Sequence, residues 1–322
     1  MKSILYSCVQ DGKRLFTNAL FWVLSATLVV IVLVVDFALP KQTAEEDYRL
    51  VTYHAPAAFS EGEPMASMDL LREAVRNGGM IGVSFDESGV TIVHSGYSDQ
   101  TLNAVALALY GVEPLTVRTQ RLLENAREIP QNLRSTPIFV CFEALMVGFI
   151  LGGALMLAEK QDGTIRAIRV SPMGPIRYIL SKTILFSVIG TIYATLIVIP
   201  TIGFSIRWGE FLLLSFVGTA VFTWIGLAFT SPFHAMSGWF FSMVLLLSVN
   251  MLPAIGYSSP AFSPFWMKWI PSYPLLTAYG SAMFGNSSDK VYLVLSIAVW
   301  GAISFILALY TVQKRHFGEV SA

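Results

Sequence analysis

The chain has 322 residues, 54% of them hydrophobic and 13% charged, with a formal net charge of zero and a mean hydropathy of +0.62. An average soluble domain carries about 25% charged residues, so this composition excludes a soluble globular protein and reads as an integral membrane protein. The zero net charge provides no overall field for nucleic acid, and what matters is where the charges lie. Cys8 and Cys141 are the only cysteines, which excludes a disulfide framework or a four-thiolate metal site. His54, His94, His234 and His316 form no HxxxH or HExxH pair, so no metal is expected.

In chain order, Ile4, Leu5, Cys8, Val9, Leu15 and Phe16 recur at helical spacing, while Ser7, Gln10, Asp11, Lys13 and Arg14 fill the other face. Residues 1–16 therefore read as an amphipathic helix lying in the membrane interface. The uncharged run Leu15–Val35 spans roughly 31 Å as a helix, enough for a hydrocarbon core of about 30 Å. Residues 17–35 are taken as the first transmembrane helix. The run is longer than a signal-peptide core and has no small-x-small cleavage site before Lys41, so an uncleaved anchor is expected.

Residues 36–135 change character, with charges, turn residues and short alternating segments. Tyr48–Tyr53 reads as a strand and Met68–Arg76 as an amphipathic helix with Leu70, Leu71 and Val75 apolar. IGVSF and VTIVH form strands about the turn DESG, Asn103–Tyr110 is a second helix, and Leu115–Val117 is a last strand. The fold class predicted is an α-helical polytopic membrane protein of six transmembrane helices, with a small extracytoplasmic α/β domain inserted after the first span.

The remaining five spans occupy residues 136–322: about Thr136–Ala158, Ile179–Ile206 with Lys182 able to snorkel at its start, Phe211–Thr230, a fifth after SPFH to Leu252, and Val291–Val312. Between the last two, residues 257–285 carry Pro260, Pro264, Pro271 and Pro274 beside Trp266, Trp269, Tyr273 and Tyr279. Short broken helices in the outer leaflet, or a plain aromatic anchor, fit that pattern. With a cytoplasmic amino terminus, that side carries Lys2, Lys13, Arg14, Lys160, Arg166, Arg169, Arg177, Lys182, Lys314 and Arg315, against Arg207, Lys268 and Lys290 opposite. The bias puts both termini in the cytoplasm and residues 36–135 outside.

The stretch EKQDGTIRAIRVSPMGPIRYILSK at 159–182 is charged and well punctuated. Asp162 can cap a helix start, Thr164 to Val170 can continue it, and Ser171-Pro172 ends it because the residue before proline avoids the helical region. Pro175 suits the first turn of the next helix. Ile165 and Ile168 share one face, and Arg166 and Arg169 repeat beside them. The result is a compact cytoplasmic knob between two spans. On residue physics alone, its arginines either satisfy the positive-inside rule and anionic headgroups or meet a protein partner that covers an exposed isoleucine pair.

The run Glu159, Lys160, Gly163, Thr164, Ile165, Ile168, Val170, Ser171 and Pro172, followed by Lys182, resembles the signature loop of ATP-binding-cassette exporter permeases. The type-two permease family in question has members with a large extracytoplasmic domain after the first span, and the likeness extends over nearly the whole chain. It implies a coupling loop, 159–178, that docks on a separate ATPase subunit through Glu159, Gly163, Thr164, Ile165, Arg166, Ile168, Arg169, Ser171 and Pro172. It further implies two ATPase copies, a second permease as homodimer or heterodimer partner, a multi-pass location in the cell membrane, and ATP and Mg bound by the partner rather than by this chain. No G-x-x-x-x-G-K-[ST] occurs in the sequence, so ATP hydrolysis is expected from the partner. Gly148–Gly152, GFILG, could bring helices close. Glu143, an acid well inside the second span, is a candidate transport-pathway residue, as a cation or substrate contact; the alternative is a hydrated or hydrogen-bonded carboxylate. Two rival functions are a membrane-anchored sensor with an extracytoplasmic ligand-binding domain, and an intramembrane hydrolase using Ser237 and His234.

Overall fold

The computed structural model describes residues 2–39, 49–56, 59, 62–78, 80–86, 89–94, 99–109, 117–121, 131–165, 168, 174–258, 264–285 and 290–317. Helix α1, Lys2–Phe16, is amphipathic and ends at Thr17 and Asn18. The Asn18 side chain then caps the next helix by accepting from the Leu20 N–H at 2.9 Å. That helix, α2, runs over Ala19–Ala38 as the first of six helices among the described residues long and apolar enough to cross a membrane.

Between the first and second spans lies a five-stranded sheet. Its strands are β1 (Leu50–Tyr53), β2 (Glu63–Pro64), β3 (Ile81–Asp86), β4 (Gly89–His94) and β5 (Val117–Arg121), in the order β2-β1-β3-β4-β5. Among the described residues only β3 and β4 pair antiparallel, on either side of the turn predicted at DESG, whose residues 87 and 88 lie outside the described residues; the other neighbours are parallel. Parallel pairs need crossovers; α3 (Met68–Gly78) lies on the path from β1 to β3 and α4 (Asp99–Leu109) on that from β4 to β5. Alternation along β3 divides the packing: Ile81, Val83 and Phe85 join Val90, Ile92, Leu102 and Val105 in one core, while Val51, Leu71, Val75 and Val93 form another. The expected order of strand, helix, two strands, helix, strand is present, with a two-residue β2 added. The last strand is described over Val117–Arg121 and meets the predicted Leu115–Val117 at Val117; residues 115 and 116 lie outside the described residues.

The other five spans are α5 (Asn132–Gln161), α6 (Pro175–Thr201), α7 (Trp208–Thr230), α8 (Met236–Ser258) and, after a shorter helix, α10 (Lys290–Arg315). Helix α7 is central, packing against α5, α6 and α10. Its closeness to α5 comes from glycine: a Cβ on Gly148 would lie 2.7 Å from the Thr219 carbonyl oxygen, and one on Gly226 would lie 2.8 Å from that of Phe149. Of the glycine pair singled out in the sequence, Gly148 makes the close approach, whereas Gly152 has ordinary contacts at 3.7 Å. At this contact α5 widens into a π-helical segment, Met146–Leu151, which includes Gly148.

The prolines of 257–285 break the chain into a 3-10 turn, Phe265–Trp269, and helix α9, Ser272–Phe284, which ends at Gly285 with φ 75°. Phe265 and Trp269 are exposed, as an aromatic anchor would be. Helix α9 is different: Leu275, Leu276, Tyr279 and Met283 are buried in the bundle core, so this part of the segment is core rather than a surface anchor. Arg207 secures its end, donating from its backbone N–H to the Ala282 carbonyl at 3.1 Å and from its guanidinium to the Ser281 hydroxyl at 3.0 Å.

Candidate functional site

The end of α5, the loop that follows it, the start of α6 and helix α1 meet in one place, and the sequence puts charge at each. Glu159 sits two residues before the end of α5 and is buried. It accepts a hydrogen bond from the Tyr178 hydroxyl at 2.6 Å and is ion-paired with Lys182. Tyr178 and Lys182 lie four residues apart and so share one face of α6. The ammonium also lies 5.2 Å from the centre of the Tyr178 ring. A second carboxylate, Asp11 of α1, reaches the same Lys182 nitrogen at 2.8 Å. All four side chains are buried, so one cation between two carboxylates offsets a large desolvation cost only while the arrangement is closed.

Lys182 thus differs from the snorkelling lysine predicted at the start of the third span. The helix begins earlier, at Pro175 in its first turn, which brings Lys182 two turns inside it and under the cover of α1. Around this cluster α1 is stitched to α6 by Ser7 to the Ser181 hydroxyl at 3.4 Å and by the Cys8 thiol to the Ser181 carbonyl at 3.1 Å. Arg14, at the last turn of α1, donates to the Thr164 hydroxyl at 3.3 Å and so reaches the loop itself.

The neighbouring Lys160 points the other way. Its ammonium donates to the carbonyls of Ser231 at 2.7 Å, Phe233 at 2.6 Å and Thr230 at 3.2 Å. These lie at and just beyond the C-terminal end of α7, where unpaired carbonyls and the helix dipole favour a cation. Two adjacent residues of α5 therefore grip two different spans.

Beyond them, Asp162 is the C-terminal cap of α5 rather than the start of the next helix, with φ −73° and ψ −6°. Gly163 follows at φ 71°, a left-handed conformation that glycine adopts without strain, and reverses the chain. Thr164, Ile165 and Ile168 are helical. The exposed isoleucine pair expected from the sequence is not what these residues form. Ile165 is 7% exposed and packs with Met156, Tyr178, Ile179, Leu227, Ala228 and Val312, and the partly buried Ile168 rests on the same cluster. The apolar face of the knob turns inward because the ends of α5, α6, α7 and α10 leave an apolar hollow beneath it. Of the other coupling residues predicted, Arg166, Arg169, Ser171 and Pro172 lie outside the described residues.

The structure thus brings together Glu159, Gly163, Thr164 and Ile165 with Lys182, which closes the signature run but was not assigned to the coupling site, and adds Asp11 and Tyr178, which sequence reasoning left out. The signal for Tyr178 and Lys182 was their spacing; for Asp11 it was an acid on the polar face of an otherwise basic amphipathic helix. Glu143 is distant from this cluster, in the interior of the bundle. His234 and Ser237, the pair a hydrolase would use, are both exposed, and among the described residues no group of His, Cys, Asp and Glu is placed to hold a metal ion.

Residues 83–310 match the sequence model of the family described as ABC-2 family transporter protein. Among curated proteins the chain is similar to the fluoroquinolones export permease protein of Mycobacterium tuberculosis, in strains CDC 1551 and H37Rv. Identity is 25% over 177 residues, covering 53% of this chain and 70% of each relative.

Proposed function

The chain belongs to the ABC-2 family of transporter proteins, a multi-pass membrane permease subunit, and from that premise we propose that it exports its substrate by coupling to a separate ATP-binding-cassette ATPase through residues 159–172. The outward direction rests on its exporter relatives and the topology, with both termini cytoplasmic and 36–135 extracytoplasmic, on the Lys and Arg bias. The working assembly is two permeases with two ATPases, which bind the ATP and Mg.

One observation carries the reading: Lys182 joins Glu159 and Asp11 in a closed, buried cluster at the base of the loop. A push on a loose loop dissipates. A push on this one is delivered to α5 and α6 through Glu159 and Lys182, to α1 through Asp11 and Arg14, and to α7 through Lys160. Rigid-body movement of packed helices is the common output of such a device. Ile165 and Ile168 hold the knob to the bundle from within, and Arg166 and Arg169 offer the charges that meet acidic groups on the ATPase.

Charge reversal tests this. Tagged wild-type chain taken from its native membrane in mild detergent is expected to bring down an ATP-binding-cassette ATPase, identified by mass spectrometry. The double variant Arg166→Glu, Arg169→Glu is expected to lose about tenfold or more of it, the scale on which like charges replace complementary ones at an interface. If wild type brings down no such ATPase while other membrane complexes survive, the coupling reading is wrong.

A further inference from the structure

The sequence leaves one carboxylate in the interior of the membrane bundle, and among the described residues the structure gives it no hydrogen-bond partner. Glu143 is fully buried on α5, and neither carboxylate oxygen has a hydrogen-bond partner among the described residues. The segment of α5 that carries it packs against α6, α7, α8 and α9. The Lys and Arg residues on those helices are Arg177 and Lys182, both near the start of α6. Lys182 is committed to Glu159 and Asp11, and Arg177 lies a turn and a half further toward the helix end. An ionised carboxylate in such a place costs several kcal/mol without a counter-charge. On α6, which packs against the segment of α5 carrying Glu143, Tyr193 is buried and its hydroxyl is hydrogen-bonded to Ser25 of α2. The Tyr193 ring sits 6.3 Å from that of Phe21, one turn along α2. Just past Glu143 the helix opens into the π segment Met146–Leu151, a local widening frequent at functional sites.

We propose that Glu143, with the aromatic rings of Tyr193 and Phe21, forms a binding site inside the membrane bundle for an organic cation, the positively charged group of an amphipathic substrate. The carboxylate supplies the counter-charge and the ring faces supply the quadrupole attraction that desolvated organic cations prefer. A proton alone would satisfy the acid but has no use for the rings. Access lies between α2 and α6: α2 is the least buried of the six spans, Ser25 is half-buried, and Trp22 is exposed beside Phe21. The cation therefore arrives from the lipid side, with its apolar body in the bilayer. This inference rests on the permease reading and names the substrate class of that function.

The probe is tetraphenylphosphonium, a permanent cation that carries no proton and donates no hydrogen bond. Its binding is measured by equilibrium dialysis on the chain purified together with its ATPase. Wild type is expected to bind it, with Glu143→Gln weakening affinity about tenfold or more, as expected for loss of the counter-charge at a desolvated site. Tyr193→Leu weakens it less and Tyr193→Phe least, while Glu210→Gln, exposed in the first turn of α7, leaves it unchanged. Because Glu143→Gln could disturb folding, the wild-type protein provides a second measurement. Dicyclohexylcarbodiimide, which modifies protonated carboxyls in apolar settings, labels Glu143 by peptide mass spectrometry, and tetraphenylphosphonium protects it. Equal binding by wild type and Glu143→Gln, or labelling that tetraphenylphosphonium does not reduce, overturns the inference. So does a Glu143→Gln chain that changes only the pH dependence of ATPase activity, which would make Glu143 a proton site. Co-purification of the ATPase is scored in the same samples, so loss of the cation site is distinguished from failure of the permease reading.

Discussion

Replacing Lys182 by methionine is expected to cost about 3–5 kcal/mol of stability, the range seen when one partner is removed from a buried ion pair. Methionine keeps the length and much of the volume of the side chain, so the loss is electrostatic. Asp11 and Glu159 would then face each other in a buried site without the cation that now lies 2.8 Å from Asp11. The signature should be a large fall in the midpoint of thermal unfolding in detergent. The neutral triple variant Asp11→Asn, Glu159→Gln, Lys182→Met should regain most of that loss, because it removes the uncompensated charges together. Its transport should stay impaired, since the three elements are no longer locked to one another. A Lys182→Met chain that melts with wild type would mean the cluster is not closed in the folded protein.

The second large effect belongs to the contact between α5 and α7. Gly148→Val would place its Cβ 2.7 Å from the Thr219 carbonyl oxygen and 2.9 Å from the Thr223 nitrogen. These are backbone atoms of a central helix and cannot rotate aside. Overpacking of this kind costs about 1–3 kcal/mol where neighbours can shift and more where they cannot, so a marked drop in folded yield and unfolding midpoint is expected. Gly152→Ala, one turn along, meets only ordinary contacts at 3.7 Å and should be tolerated. Equal stability of the two variants would show that α5 and α7 are further apart than this packing requires.

Much of this architecture could be read from the residues. Six apolar runs become six helices of membrane-crossing length because little else can hold such stretches. The alternation of IGVSF and VTIVH about DESG fixes a hairpin whose two sides pack into separate cores. What escaped was the direction in which particular side chains face. A lysine near the start of a span ordinarily snorkels; Lys182 is instead roofed by α1, and nothing local in the sequence says that an N-terminal helix returns to cover it. Ile165 and Ile168 share one face whether that face points in or out, and the hollow that receives them is made by helices distant in sequence. Tyr279 reads as an interfacial aromatic by composition, yet α9 carries it into the core. The family match accounts for a transport subunit, and the sensor reading of residues 36–135 gives way to it.

The central claim, that the loop after the second span is the contact with the motor, is tested most directly by a photo-activated cross-linker placed at Arg169 in the native membrane. The account predicts a covalent adduct with an ATP-binding-cassette ATPase, whose yield changes when ATP is added. Adducts formed only with lipid, or only with a second copy of this chain, in a membrane that contains the ATPase would contradict it.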